Sequence, residues 1–162
     1  MELCCTQKLL KRLGEDPGAP IEATGRMHYW TCKEFVYERK RFAIALNRET
    51  MLTLVVRGAP KSKLRERLAS SLAIGLQIFG VSEEDAQVEA EQMRTASFSK
   101  NRDRSLSGSL NDLAGHAPFY MCDLPDFSEE ALMTLSYKLS KTPHVNRTPS
   151  FAIQSITDVF GL

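Results

Sequence analysis

Long apolar runs, an excess of charge and patterned cysteines are all missing from this chain, and each absence excludes a class of protein. The longest mainly apolar stretch, Leu72 to Val81, is broken by Gln77 and covers about half of the roughly 20 residues that cross a bilayer, so no transmembrane segment is expected. With 21 Lys and Arg against 20 Asp and Glu, the formal net charge is +1. No global field therefore draws the chain to polyanions or membranes, and any nucleic-acid surface has to be a local patch. Cys4, Cys5, Cys32 and Cys122 show no C-x-x-C spacing, which leaves neither paired zinc ligands nor a redox motif, and reduced, mostly buried thiols are expected. The three histidines, His28, His116 and His144, have no ligand-like spacing, so neither a metal nor a cofactor is expected. Neither a G-x-x-x-x-G-K-[ST] phosphate loop nor a G-x-G-x-x-G turn after a strand is present. The opening residues, Met1-Glu-Leu-Cys-Cys-Thr, lack the basic lead and apolar core of a signal peptide, which gives a cytoplasmic expectation.

What is present is an ordinary globular composition, 43% hydrophobic and 25% charged over 162 residues, enough for one domain over 1–162 with its own core. A short strand over Leu3–Thr6 precedes a helix over Gln7–Leu13 that Gly14 stops, and the Pro- and Gly-rich segment 15–25 reads as a loop. Aromatic and β-branched residues over 29–37, then alternation at Phe42, Ile44 and Leu46 and at Leu52, Leu54 and Val56, predict an antiparallel meander. Its second connection, Asn47-Arg-Glu-Thr50, suits a hairpin built on a type I turn.

Helical spacing of Leu64, Leu68, Leu72, Leu76 and Phe79 follows Pro60, and Ser82 caps a second helix running to about Met93. Arg94–Ser99 reads as a strand. Leu106, Leu110, Leu113 and Ala117 give a further helix that Pro118 brings near its end, and Ser128 caps another with Leu132, Leu135 and Leu139 on its buried side. The tail from Phe151 is ambiguous between strand and coil. The order predicts an α+β fold, an antiparallel sheet with helices packed mainly on one side.

Chemistry concentrates in Lys100-Asn-Arg-Asp-Arg-Ser-Leu-Ser-Gly-Ser-Leu-Asn-Asp112, where cations run into a helix start. Exposed N–H groups and the positive dipole end there can hold phosphate or carboxylate, which makes Lys100, Asn101, Arg102, Arg104, Ser105, Gly108, Ser109 and Asn111 the expected ligand-binding set. Gly108 would allow close approach of a backbone. Ser105, Ser109, Asp112 and His116 share one helical sector, and Asp112 and His116 are candidate catalytic residues, one orienting the other for acid–base work. A serine triad does not follow, because Ser109 and His116 stand about 10 Å apart along a helix axis. The competing reading makes Ser109 a helix cap and Asp112 its capping-box acid.

The clusters Arg39-Lys-Arg41 and Lys61, Lys63, Arg65 and Arg67 are candidates for a phosphate-tracking surface. The aromatics Tyr29, Trp30, Phe35 and Tyr37 are expected to pack internally rather than stack on bases. Asn146-Arg-Thr-Pro-Ser150 reads as a turn able to bring a second polar group to the site.

Three segments, Cys5-Thr-Gln-Lys-Leu-Leu-Lys11, Asn101-Arg-x-Arg-Ser-Leu-x-Gly-Ser-Leu-Asn-Asp112 and Asn146-Arg-Thr-Pro149, together resemble an uncharacterised bacterial family known only as domain of unknown function 6933. Its middle motif looks like N-R-S-x-x-G-S-x-N-D. The chain departs by inserting residues between Asn101-Arg102 and Ser105, so that Arg102 and Arg104 both compete for the family arginine. The resemblance implies an intracellular bacterial α+β protein and supplies no activity, cofactor or catalytic residue. The expected function is a small binding protein for a phosphate-containing ligand, a nucleic acid or an acidic protein. Its alternatives are a small hydrolase or nuclease using Asp112 and His116 with an arginine clamp, and a structural interaction module.

Overall fold

The computed structural model describes residues 1–16, 25–143 and 151–162. Five strands, β1 (Glu2–Cys5), β2 (Tyr29–Tyr37), β3 (Lys40–Asn47), β4 (Thr53–Arg57) and β5 (Ser97–Lys100), form one sheet in the order β4-β3-β2-β1-β5. β2, β3 and β4 make the expected antiparallel meander, with Cys32 opposite Ala45 and Ile44 opposite Val55. β1 lies parallel to both β2 and β5, so the sheet is mixed rather than purely antiparallel. The reason is connectivity: α1 (Gln7–Leu13) follows β1, and α2 (Leu64–Ile78) and α3 (Glu83–Arg94) precede β5. Parallel neighbours need such long crossovers.

Helices cover both faces, which corrects the one-sided expectation. On one face Leu3, Trp30, Ala43, Ala45 and Leu54 meet Leu9 of α1, Leu64, Leu68, Leu72 and Leu76 of α2 and Ala86 of α3. On the other, Phe42, Ile44, Leu46 and Val55 meet Leu106, Leu110 and Leu113 of α4 (Arg104–Met121) and Leu132, Leu135 and Leu139 of α5 (Glu129–Ser140). The signal lies in β3, where the residues between Phe42, Ile44 and Leu46 are Ala43 and Ala45, both fully buried. A strand buried on both faces reads as a continuous apolar run, and Ala in the second register is part of that run.

The tail is a helix, α6 (Ala152–Phe160), rather than strand or coil. Its buried residues Ala152, Ser155 and Ile156 recur at helical spacing, and Gly161, at φ 70°, closes it in the left-handed conformation that glycine adopts without strain. Ala152 belongs to one core layer and Ile156 to the other. α4 runs past Pro118 to Met121, because proline removes one N–H while the Cys122 N–H still closes the last turn on the Pro118 carbonyl. The Asn47–Thr50 turn is held by Asn47 Oδ1, which accepts from the Glu49 and Thr50 N–H groups and from the Thr50 hydroxyl.

The predicted basic clusters are largely tied inward. Arg41 pairs with Glu34, Arg67 donates to the Arg57 and Ala59 carbonyls, Lys61 to the Leu13 carbonyl, and Arg65 lies 4.1 Å from the centre of the Phe98 ring. Three of the four aromatics pack as expected: Trp30 is fully buried with its indole N–H on the Met27 carbonyl, Phe35 stacks on Phe42, and Tyr37 meets Phe127 edge-on, whereas Tyr29 is half-buried and faces a surface cleft. Among the described residues no helix is long and apolar enough to cross a membrane.

Candidate functional site

Strand alternation places two rows of side chains on opposite faces, and in β1, the start of β2 and β5 those rows differ sharply in chemistry. Leu3, Cys5, Trp30, Cys32 and Phe98 point into the core beneath α1, α2 and α3. Glu2, Cys4, Tyr29, Thr31 and Ser99 point to the α4 side. There α4 packs on β2 and β3 and α5 on β4. Over β1 and β5 the same face carries a cleft of about 410 Å³, which Lys100, Asn101, Arg102, Asp103 and Leu106 border at one end and Arg48 at the other.

The border at the start of α4 is built by short-range polar bonds. Asn101 Oδ1 accepts from the Asp103 N–H at 3.0 Å, and Asp103 Oδ1 accepts from the Leu106 N–H at 3.0 Å as the N-cap of α4. Asn101 Nδ2 donates to the Ser107 hydroxyl at 2.8 Å, and that hydroxyl donates to the Asp103 carbonyl. The helix therefore starts at Arg104 with a carboxylate already on its N-terminal dipole. Ser109 lies in the second turn and is not the cap; Asp103 is, which corrects the capping-box reading.

These bonds divide the expected set. Lys100, Asn101 and Arg102 line the cleft, with Lys100 and Arg102 exposed at its mouth. Arg104 and Ser105 are exposed on the first turn of α4 outside the lining. Gly108 faces open space, with nothing within 4 Å of the position a Cβ would take, so no described backbone approaches it within the chain. Ser109 also lies outside the lining, and Asn111 accepts from Lys33 Nζ at 2.7 Å, tying α4 to β2. Asp112 and His116 are both exposed further along α4, outside the cleft, and no hydrogen bond joins them among the described residues. His144 and Asn146–Pro149 lie outside the described residues. Among those residues no group of three His, Cys, Asp or Glu side chains is placed to hold a metal.

Sequence reading missed the floor: Glu2, Tyr29, Thr31 and Ser99, with Arg48 at the far end. The signal was available, since each strand puts polar residues in one register and apolar ones in the other. Cys4 sits in the same floor beside Ser99, whose hydroxyl is 3.4 Å from its sulfur. Burial pushes the Cys4 thiol above its ordinary value, the Ser99 bond pulls it down less, and Glu2 and Asp103 add to the rise while Arg48 opposes it. It is a protonated thiol at neutral pH, unlike a reactive thiolate.

Cys5 lies opposite Cys32 across β1 and β2, and its thiol is raised first by the hydrogen bond with Cys32 and then by burial. Cys122, by contrast, is exposed. A disulfide-exchange reagent at neutral pH is therefore expected to label Cys122 first and Cys4 slowly, and to reach Cys5 and Cys32 only in denaturant. Mass spectrometry of the labelled peptides checks the order, and early labelling of Cys4 would refute the protonated-thiol account.

Fold and cleft define an α+β domain of mixed sheet between two helical layers, with a polar cleft over β1 and β5 on one face. The family model for a domain of unknown function, DUF6933, matches residues 2–152, and the chain belongs to that family. No protein of curated function matches it.

Proposed function

We propose that this protein is a binding protein that holds a small phosphate-bearing ligand in the cleft over β1 and β5. The observation that carries the reading is the pairing of Lys100 and Arg102 at the mouth with a floor of polar side chains drawn from three strands. Two cations beside one recess give a phosphate charge-assisted bonds, and Arg102 can present a bidentate fork. The volume is that of a small-molecule site. Because Asp103 occupies the N-terminus of α4, these side chains, rather than the helix end, read the anion. Asp112 and His116 take no part, since they lie outside the lining, and the reading is non-enzymatic.

Isothermal titration with simple phosphate esters is the test. The wild-type chain should bind, and Lys100→Ala/Arg102→Ala should weaken binding by roughly 100-fold, the scale set by losing two charge-assisted hydrogen bonds. Arg104→Ala, one residue past the cap and outside the lining, should leave affinity within about a factor of two. Absence of binding by any phosphate ester would overturn the reading.

A further inference from the structure

The acidic end of the cleft carries an observation that phosphate binding alone does not explain. Glu2 lines the cleft yet is only 4% exposed, and among the described residues no hydrogen bond or ion pair reaches its carboxylate. Its oxygens are not among the described buried polar atoms that lack a partner, so they open onto the cleft, where a bound donor can meet them. The strand register fixes where it sits relative to the cations. Glu2 pairs with Ser97, and Cys5, three residues along β1, pairs with Lys100. At about 3.3 Å per residue that register lies about 10 Å from the acid along the strand; Lys100 shares the face of Cys5, so it borders the cleft at the rim where β5 ends, beside Arg102, and not from the floor.

We propose that Glu2 is the second recognition group of the cleft, so that the ligand is bipolar: an N–H-donating head held by Glu2 and a phosphate held by Lys100 and Arg102. This rests on the phosphate reading above. Arg48 borders the Glu2 end, its guanidinium 5.7 Å from the centre of the Tyr29 ring, so the head meets one acid, one arginine and an aromatic side chain. That setting serves two sources of the same chemistry, an alkyl ammonium or the amino edge of a nucleobase, whose ring finds an aromatic neighbour in Tyr29. Thr31 and Ser99, 2% and 5% exposed, supply hydroxyls between the two ends.

The test titrates the full chain with ethyl phosphate, 2-aminoethyl phosphate, cytidine monophosphate and adenosine monophosphate. At least one head-bearing phosphate should bind tenfold or more tighter than ethyl phosphate. 2-Aminoethyl phosphate as the winner assigns an ammonium head, and a nucleotide assigns a base edge. In Glu2→Gln that advantage should vanish while ethyl phosphate keeps its wild-type affinity. A head-group advantage below tenfold, or one that survives Glu2→Gln, overturns the inference and leaves the phosphate reading standing. Failure of all four to bind overturns the phosphate reading itself. Where Glu2→Gln does not fold, Glu2→Asp, which withdraws the carboxylate by one methylene, takes its place: a reduced head-group advantage supports the inference and an unchanged one overturns it.

Discussion

Glu34→Gln is expected to lower the stability of this protein by about 3 kcal/mol, among the largest effects of a single polar substitution here. Glu34 lies in β2 with its side chain 3% exposed, and two arginines meet it: Arg12 of α1, whose Nε faces Oε2 as an ion pair rather than an aligned hydrogen bond, and Arg41 of β3. Arg12 is itself mostly covered and also donates to the Gly58 carbonyl at 2.9 Å, so it ties α1 to the chain just past β4. The amide that replaces the carboxylate leaves a largely buried guanidinium with neutral acceptors alone, the amide oxygen and the Gly58 carbonyl. Arg41, half exposed, returns to water at little cost. Urea denaturation should show a lowered midpoint with an unchanged slope.

The sharper arm of that experiment is Arg12→Met/Glu34→Leu. Replacing a buried pair by apolar residues of similar size is often neutral, so the double variant should recover most of the loss. A single-variant loss under about 0.5 kcal/mol would mean that water, not Glu34, solvates Arg12.

Most elements were legible because periodicity and caps agreed. Thr6 and Gly14 bracket α1, and Ser82 and Ser128 accept from the Asp85 and Ala131 N–H groups as the sequence suggests. Layering was less legible, since alternation of large apolar residues in β3 looks one-sided until the intervening alanines are counted as core. The order of the sheet was illegible for a different reason. β1 is four residues long, and nothing local says that it inserts between two strands distant in sequence.

The candidate site divides the same way. Its basic edge is contiguous in sequence, so Lys100, Asn101 and Arg102 stood out. Its floor is assembled from β1, β2 and β5, which are separated by the whole of α1 and by the segment from β3 to α3, and no spacing within one segment reports that neighbourhood. Asp112 and His116 do share one row of α4, and that row lies outside the lining of the cleft. Four residues apart on one exposed face, they are near neighbours on the helix, and neither lines the cleft.

Ser136→Ala/Ser140→Ala is expected to cost roughly 3 kcal/mol, although both positions are mid-to-late helix and alanine is the better helix former. β4 is an edge strand, and its outward N–H groups need partners. α5 supplies them. The Val55 N–H donates to Ser136 Oγ at 2.8 Å and the Thr53 N–H to Ser140 Oγ at 2.9 Å, while the hydroxyls donate onward to the Leu132 and Ser136 carbonyls one turn back along α5.

Thr53, Val55, Ser136 and Ser140 are all buried, so no bulk water stands ready to replace a deleted hydroxyl. Each orphaned N–H costs about 1–3 kcal/mol, and the gain in helix propensity, about 0.5 kcal/mol per site, offsets only part. The two losses should not add simply, because the two hydroxyls hold amides two residues apart on the same edge strand. Native-state hydrogen exchange gives the local readout: the Thr53 and Val55 amides should lose protection ahead of the β3 amides. Unchanged protection at both would sink the account, because it would mean that packing of Leu132, Leu135 and Leu139, and not the serine hydroxyls, keeps the edge of the sheet closed.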